Sequence, residues 1–217
     1  MTTPPTTPPV PPSPCPFVSR GGLKLAHALD TFAFNPAGLR CADFGCNIGG
    51  FTDCLLQRSA SHVFALDTGY GTLAWKLRID PRITVRERTN ALHAPTPPPD
   101  QLVDLVVIDM AWTPQRLCIP AALKWLRPLP TSRIITLIKP HYELRADEKD
   151  LLVEGVLADA ESQRTTERVL AEMPSLSVDV LASTRSPIVG GAGKGKGMAA
   201  GNSEWLALLS PALIIRQ

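Results

Sequence analysis

The stretch Leu39-Arg40-Cys41-Ala42-Asp43-Phe44-Gly45-Cys46-Asn47-Ile48-Gly49-Gly50-Phe51-Thr52-Asp53 contains the pattern that decides the fold. Its first six residues form a short apolar run that predicts a buried strand. A glycine-rich turn follows, and residues 50–58 then have the composition of a helix. A strand, a glycine turn and a helix in this order are typical of a nucleotide-type cofactor site. The glycines let the backbone approach a ligand, and the helix N-terminus offers unpaired N–H groups.

The same alternation continues along the rest of the chain. Seven short strands with intervening helices predict an α/β fold, a Rossmann-like, doubly wound sheet in a single domain. The predicted strands are residues 39–44, 63–66, 83–86, 103–108, 134–138, 178–181 and 205–209. A lead helix begins after Ser19, and the later predicted helices are residues 50–58, 73–78, 114–126 and 159–172.

Composition limits the classes of protein that fit this chain. With 217 residues and 44% hydrophobic content, the chain can bury one ordinary core. A net charge of +2 leaves the partner open. The five cysteines form no C-x-x-C pair, so neither a disulfide framework nor a zinc site is expected. No apolar run approaches the roughly 20 residues that cross a bilayer. We therefore expect a cytoplasmic protein that does not associate with membranes and binds no metal.

Two segments fall outside the globular pattern. Residues 1–16 contain eight prolines, so residues 1–17 are predicted to be a disordered tail ahead of one domain over residues 18–217. Residues 190–202 contain six glycines, and Gly190, Gly195 and Lys196 match the first part of a phosphate-binding loop. Gly197 stands where that loop needs Ser or Thr to reach magnesium, so nucleotide hydrolysis is not predicted.

The glycine turn also indicates which cofactor it serves. Its spacing is not G-x-G-x-x-G, so the dinucleotide fingerprint is absent. A carboxylate at Asp43 suits a sulfonium or an ammonium group, and S-adenosylmethionine carries both. Asp67 ends the second strand, where such sheets place a carboxylate on ribose hydroxyls, and Asn90 is a candidate for the adenine edge. Each residue alone is also a common turn or cap residue, but the series favours cofactor binding. The predicted cofactor-binding residues are Asp43, Gly45, Asn47, Gly49, Gly50, Phe51, Asp67, Thr68, Asn90 and Asp109.

Four polar residues stand at the edges of apolar segments. Asp109 and Lys139 each follow a predicted strand, Glu204 precedes the last strand, and Lys24 lies in the lead helix. Because the carboxyl ends of parallel strands meet at one crevice, these residues are candidates for a single catalytic centre. A charged residue beside a buried strand is also commonly a solvated strand end, and this alternative is strongest for Glu204.

Several longer motifs carry a family resemblance. They are Ser19-Arg20-Gly21-Gly22-Leu23-Lys24-Leu25, Gly49-Gly50-Phe51-Thr52-Asp53-Cys54-Leu55-Leu56, Asp67-Thr68-Gly69-Tyr70-Gly71-Thr72-Leu73-Ala74-Trp75-Lys76-Leu77-Arg78, Glu87-Arg88-Thr89-Asn90, Val107-Ile108-Asp109 and Leu137-Ile138-Lys139-Pro140. In these motifs the chain resembles the FtsJ-like ribose methyltransferases, in particular the hemolysin A (TlyA) branch. The resemblance extends from Val18 to Leu209.

The resemblance implies an enzyme that moves a methyl group from S-adenosylmethionine to a ribose 2′-hydroxyl of RNA, with ribosomal RNA or a ribosomal subunit as the partner. The Lys-Asp-Lys-Glu catalytic set of the family falls on Lys24, Asp109, Lys139 and Glu204. Lys139 is the candidate proton acceptor. Lysine amines are mostly protonated at neutral pH, so this role needs a neighbouring cation such as Lys24, or burial. Asp109 would hold Lys139, and Glu204 would orient Lys24 or the ribose.

The resemblance leaves RNA docking open. Proteins of this branch carry an N-terminal S4-type RNA-binding domain, and here the proline-rich tail stands in its place. A methyltransferase with a non-RNA acceptor and a non-catalytic module that binds RNA or S-adenosylmethionine are therefore the alternatives.

Basic and aromatic residues are the candidates for RNA contacts. The cluster Lys76, Arg78, Arg82, Arg86 and Arg88, together with Lys194 and Lys196, either binds phosphates or forms a solvated charged face. Trp112 is a candidate for stacking on a base, whereas Trp75 and Trp125 are expected in the core.

Overall fold

The computed structural model describes residues 15–190 and 201–212. Residues 1–14 of the predicted tail lie outside this part of the chain, and so does most of the glycine-rich loop, including Lys194, Lys196 and the partial phosphate-loop match. Within the described residues there is no helix long and apolar enough to cross a bilayer.

The central element is a seven-stranded sheet with the strand order β3-β2-β1-β4-β5-β9-β8. The first five strands along the chain are parallel, whereas β9 runs antiparallel to both of its neighbours. The strands of this sheet are β1 Arg40–Phe44, β2 His62–Leu66, β3 Ile83–Arg86, β4 Leu105–Ile108, β5 Arg133–Ile138, β8 Val178–Arg185 and β9 Trp205–Pro211. A small hairpin, β6 Leu152–Val153 with β7 Val156–Leu157, was not predicted. The predicted seven-stranded Rossmann-like α/β sheet is confirmed.

Helices cover both faces of the sheet. They are α1 Gly21–Thr31, α2 Gly50–Gln57, α3 Trp75–Arg78, α4 Gln115–Leu123 and α5 Asp159–Glu172. On one face, α1 and α2 bury Leu25 and Leu55 against alternate residues of the strands. On the other face, α4 and α5 bury Ile119 and Val169. Covering both faces explains why the central strands are continuous apolar runs rather than alternating ones.

The direction of β9 places its beginning at the catalytic edge of the sheet. In the antiparallel pairing Trp205 lies opposite Ile138, at the carboxyl end of β5. The residues just before β9 therefore reach the edge at which the parallel strands end. The last described strand along the chain, β9, thus places Glu204 beside Lys139.

Two glycines allow the close packing at this edge. Gly45 has φ +86°, and a Cβ there would lie 2.7 Å from the carbonyl oxygen of Asp109. A Cβ on Gly50 would lie 2.8 Å from the backbone nitrogen of Gly22 and would also collide with the hydroxyl of Ser19. A side chain at either position would separate the turn after β1 from β4, or α1 from α2.

Of the two tryptophans that were predicted to lie in the core, Trp125 is buried and Trp75 is exposed. Trp125 is 1% exposed and packs edge-on against Phe44 and Phe64, as expected. The expectation that Trp75 belongs to the core is wrong, since this side chain is 71% exposed. The predicted helix forms, but α3 has only one turn and buries only Leu77, so the side chain of Trp75 stays outside the core.

Candidate active site

All four predicted catalytic residues line one cleft of about 300 Å³. Lys24 comes from the first turn of α1, and Asp109 and Lys139 directly follow β4 and β5. Glu204 directly precedes β9. Three separate elements and the antiparallel strand thus bring together residues that are up to 180 positions apart in the chain.

The four side chains form two close ion pairs. Lys24 Nζ lies 2.5 Å from Glu204 Oε2, and the side chains are 11% and 3% exposed. Lys139 Nζ lies 2.5 Å from Asp109 Oδ1, with side chains that are 12% and 22% exposed. Two lysines and two carboxylates, all largely buried, therefore share one cleft, where charge interactions are stronger than at the surface.

Burial shifts the titration of two groups in the cleft, Glu204 and His141. It raises the pKa of Glu204, and the nearby Lys24 ammonium opposes that shift. For His141, burial lowers the pKa to about 4, and the charges of Lys139 and Lys24 act in the same direction. His141 is therefore neutral at pH 7 and is not a third cation of the cleft, and its buried Nδ1 has no hydrogen-bond partner among the described residues.

His141 and Tyr142 are site residues that sequence reasoning missed. Both line the cleft, and their ring centroids are 4.0 Å apart. They follow Lys139 and Pro140 at the end of a predicted strand, so their position beside a candidate catalytic lysine was the available signal.

A second cavity of about 290 Å³ adjoins the first. The two share Gly45, Asn47 and Asp109 in their linings, so they form a continuous two-part cleft across the turn after β1. Eight of the ten predicted cofactor-binding residues border this cleft, namely Gly45, Asn47, Gly50, Phe51, Asp67, Thr68, Asn90 and Asp109.

The other two predicted cofactor-binding residues do not line the cleft. Asp43 is fully buried, and its Oδ2 accepts a 2.6 Å hydrogen bond from the hydroxyl of Thr52. The absent Cβ of Gly49 would meet the side chains of Leu73 and Leu77, so the lack of a side chain here allows close packing, and the role of this glycine in cofactor binding stays a prediction. Its φ of +103° instead suits the left-handed start of α2, where β-carbons are disfavoured.

The polar groups of the cleft fit S-adenosylmethionine. In one part, the Asp67 carboxylate is held by the backbone N–H groups of Asn47 and Gly69, at 2.9 Å and 2.7 Å. This fixed carboxylate beside Asn90 matches the hydroxyl and base groups of a nucleoside. Under the glycine turn, Asp43 Oδ1 is buried without a hydrogen-bond partner, and burial raises the pKa of this carboxyl to about 7. An unsatisfied acid at this point suits a positively charged ligand above it.

The proposed basic cluster is mostly engaged within the molecule. Lys76, Arg78 and Arg82 form ion pairs with Asp53, Glu87 and Asp80, respectively. The guanidinium groups of the two remaining members stack on aromatic rings, Arg86 on Phe64 and Trp125, and Arg88 on Tyr70. These contacts favour the interpretation of a structured, solvated charged face over a phosphate-binding surface.

The sheet order, the antiparallel strand β9 and the cleft over the glycine turn define a Rossmann-like methyltransferase. Comparison with protein families agrees with this class and identifies the family, since the FtsJ-like methyltransferase model matches residues 17–198. The chain belongs to the FtsJ-like methyltransferase family.

The chain is similar to several named proteins. One is the 16S/23S rRNA (cytidine-2′-O)-methyltransferase TlyA of Mycobacterium tuberculosis, 45% identical over 59% of this chain and 47% of the relative. Another is hemolysin A of Brachyspira hyodysenteriae, 34% identical over 88% of this chain and 75% of the relative. A crystal structure from Lactococcus lactis, provisionally named a hemolysin, is 36% identical with a TM-score of 0.78, covering 89% of this chain and 88% of that one. The chain spans about half the length of the first curated relatives that it matches.

Proposed function

We propose that this chain is an S-adenosylmethionine-dependent methyltransferase whose acceptor is a ribose 2′-hydroxyl of RNA, specifically ribosomal RNA. The observation that carries the proposal is the convergence of the Lys24–Glu204 and Lys139–Asp109 pairs beside a two-part cofactor cleft. The activity in the printed name of the Mycobacterium tuberculosis relative is the same reaction on the same class of acceptor.

Residues of the two-part cleft would hold the cofactor. Asp67 and Asn90 are placed for its nucleoside, and Phe51 and Gly50 border the part that contains the two ion pairs. When bound, the cofactor supplies an electrophilic methyl group. Asp109 lines both parts, so it stands where the cofactor and acceptor regions meet.

The four charged residues have separate roles in activating the acceptor hydroxyl. Lys139 Nζ, in its neutral form, takes the proton of the 2′-hydroxyl, and Asp109 at 2.5 Å stabilises the ammonium group that results. The buried Lys24–Glu204 pair lines the same cleft, where it can orient the ribose. Alignment of the hydroxyl in a closed pocket provides most of the remaining acceleration.

Two neighbouring aromatic side chains beside the cleft, the exposed Trp112 and the partly buried Tyr142, support a nucleic-acid acceptor. Trp112 is 80% exposed and has φ +54°, a conformation that is uncommon for a bulky residue. Its ring centroid lies 6.0 Å from that of Tyr142, which lines the catalytic cleft. Flat side chains at this position can stack on an unpaired base and hold its ribose near Lys139.

The test combines cofactor binding with methyl transfer. S-Adenosylmethionine is titrated calorimetrically into the wild type, Lys139→Ala and Lys124→Ala, and tritiated methyl transfer is measured on ribosomal RNA from a strain without this protein. Lys124 is an exposed lysine after α4 and serves as the matched control. We expect all three proteins to bind the cofactor, and only Lys139→Ala to lose transfer, by about 10²–10⁴-fold.

Other outcomes contradict the proposal at separate points. A wild type that binds no cofactor would refute the assignment of the cleft. Binding without labelling of RNA or of ribosomal subunits would refute the acceptor and favour a non-RNA acceptor or a non-catalytic module. Equal activity of Lys139→Ala and Lys124→Ala would refute the role of Lys139.

A further inference from the structure

A third cavity, of about 400 Å³, lies next to the catalytic cleft. It is enclosed by the start of α4, the segment that follows Lys139, and one face of α5. Tyr142 lines both this cavity and the catalytic cleft, so the two are neighbours across a single aromatic side chain.

The charged groups of this cavity are dominated by arginine. Its lining contains three guanidinium groups, those of Arg116, Arg145 and Arg168, and two carboxylates, Glu143 and Glu172. We call it the arginine cavity. The lining of the neighbouring cleft contains Arg20, Lys24 and Lys139 with Asp109 and Glu204, so each of the two spaces has one more cationic than anionic side chain.

Two of the arginines are fixed by their neighbours. Arg168 donates to the carbonyl oxygen of Glu143 at 3.1 Å and pairs with Glu148 at 2.9 Å. Arg145 pairs with Glu172 at 3.1 Å. These contacts engage both guanidinium groups within the molecule, as in Lys76, Arg78 and Arg82, and leave Arg116 as the principal candidate for an anion.

The third arginine is available to a ligand. Arg116 is exposed, and among residues 15–190 and 201–212 no carboxylate lies within 4 Å of its guanidinium group. It follows the loop that carries Asp109 and Trp112, so its backbone is anchored to the catalytic edge of the sheet. The nearby carboxyl of Glu143 has a pKa that burial raises to about 7, so near neutral pH it is only partly charged. It therefore opposes an anion only weakly.

We propose that the arginine cavity binds a phosphodiester group of the RNA strand, belonging to a nucleotide that flanks the acceptor, and that Arg116 makes the principal contact. Guanidinium groups match the geometry of phosphate oxygens and form paired hydrogen bonds with them. An RNA strand whose acceptor ribose lies at Lys139 and whose base stacks at Trp112 passes Tyr142 on its way out of the cleft. The arginine cavity therefore contributes to RNA docking from within this domain. This inference rests on the function proposed above.

The test compares two single-charge deletions on one helix. Arg116→Ala removes the cation at the start of α4, and Lys124→Ala removes an exposed cation directly after its end. RNA affinity is measured by filter binding over a series of salt concentrations, using the ribosomal RNA that the wild type labels. Single-turnover methyl transfer and calorimetric binding of S-adenosylmethionine are measured alongside.

We expect Arg116→Ala to weaken RNA binding by about 5–30-fold, which corresponds to one lost charge-assisted contact of about 1–2 kcal/mol. The slope of log K against log salt should become shallower by about 0.7, the value for one phosphate contact to a single strand. Cofactor affinity and the single-turnover rate at saturating RNA should stay unchanged, and Lys124→Ala should match the wild type.

The results separate this inference from the function on which it rests. If the wild type labels RNA but the two variants have the same RNA affinity and salt slope, the arginine cavity has no role in docking. If Arg116→Ala loses rate at saturating RNA, with unchanged RNA affinity, the residue positions the catalytic loop and does not bind phosphate. If the wild type neither binds nor labels RNA, the proposed function fails first and the inference with it.

Discussion

Replacement of Glu204 by Gln removes the negative charge that faces Lys24 inside the protein. The Nζ and Oε2 atoms are 2.5 Å apart and both side chains are nearly fully buried. Removal of one partner of a buried ion pair costs about 3–5 kcal/mol, because an uncompensated charge remains. Gln keeps an amide oxygen that can accept one hydrogen bond, worth about 1 kcal/mol. We therefore expect Glu204→Gln to lower the free energy of unfolding by about 2–4 kcal/mol.

Urea denaturation at pH 7 measures this loss. Asp30→Asn is the matched control, because Asp30 pairs with Arg58 at the surface, where the side chains are 62% and 39% exposed. That variant should lose less than about 1 kcal/mol. Lys24→Met and the double variant complete a double-mutant cycle, in which we expect a coupling of at least about 1.5 kcal/mol. If Glu204→Gln loses no more stability than Asp30→Asn, or if the cycle is additive, then the pair is not buried as described.

Substitutions at three further positions test other parts of the cleft. Asp43→Asn should flatten the pH dependence of stability. The pKa of Asp43 is raised from 3.8 to about 7 by burial, so its stabilising contribution is full below pH 3.8 and is lost as the pH rises through 7. Urea midpoints at pH 5 and pH 8 should therefore differ less in the variant than in the wild type, and an equal or larger difference would contradict this. Asp67→Ala should weaken calorimetric binding of S-adenosylmethionine by about 1–2 kcal/mol, and Asp67→Asn, which keeps one acceptor oxygen, by less. Trp112→Ala should weaken RNA binding by about 1–3 kcal/mol and leave the urea midpoint unchanged, since this side chain is 80% exposed; a loss of stability without a loss of affinity would assign it to packing.

The fold could be predicted from local patterns because the strands and helices follow hydrophobic periodicity. The glycine turn after β1 and the strand ends at Asp109 and Lys139 were visible in the sequence, since a polar residue directly follows a run of buried apolar ones. Seven strands in a Rossmann-like sheet followed from the same alternation. The hairpin β6–β7 was missed because two-residue strands carry no periodicity to detect.

The positions of the site residues depend more on tertiary contacts than on local sequence patterns. Nothing local to Glu204 shows that β9 is antiparallel, yet this direction alone brings it to Lys24. Asp43 was recognised as an unusual acid, but its complete burial under Thr52 depends on how α2 packs over β1. His141 was overlooked because a histidine after a strand has many ordinary roles. Only the structure shows that its ring lines the cleft together with both lysines, where burial and the two lysine charges lower its pKa.

The position of β9 between β5 and β8 has a consequence for the order in which the centre is made. Residues 204–211 leave the ribosome after the other six described strands of the sheet, so until they appear the growing sheet ends at β5 and β8 has no neighbour. Lys24, synthesised near the beginning, meanwhile has no carboxylate facing it. A prematurely terminated product therefore lacks both the strand and the charge balance. Cleavage of the chain before Asn202 would give two inactive fragments. On their reassociation, insertion of β9 would restore the complete sheet and the Lys24–Glu204 pair in a single step.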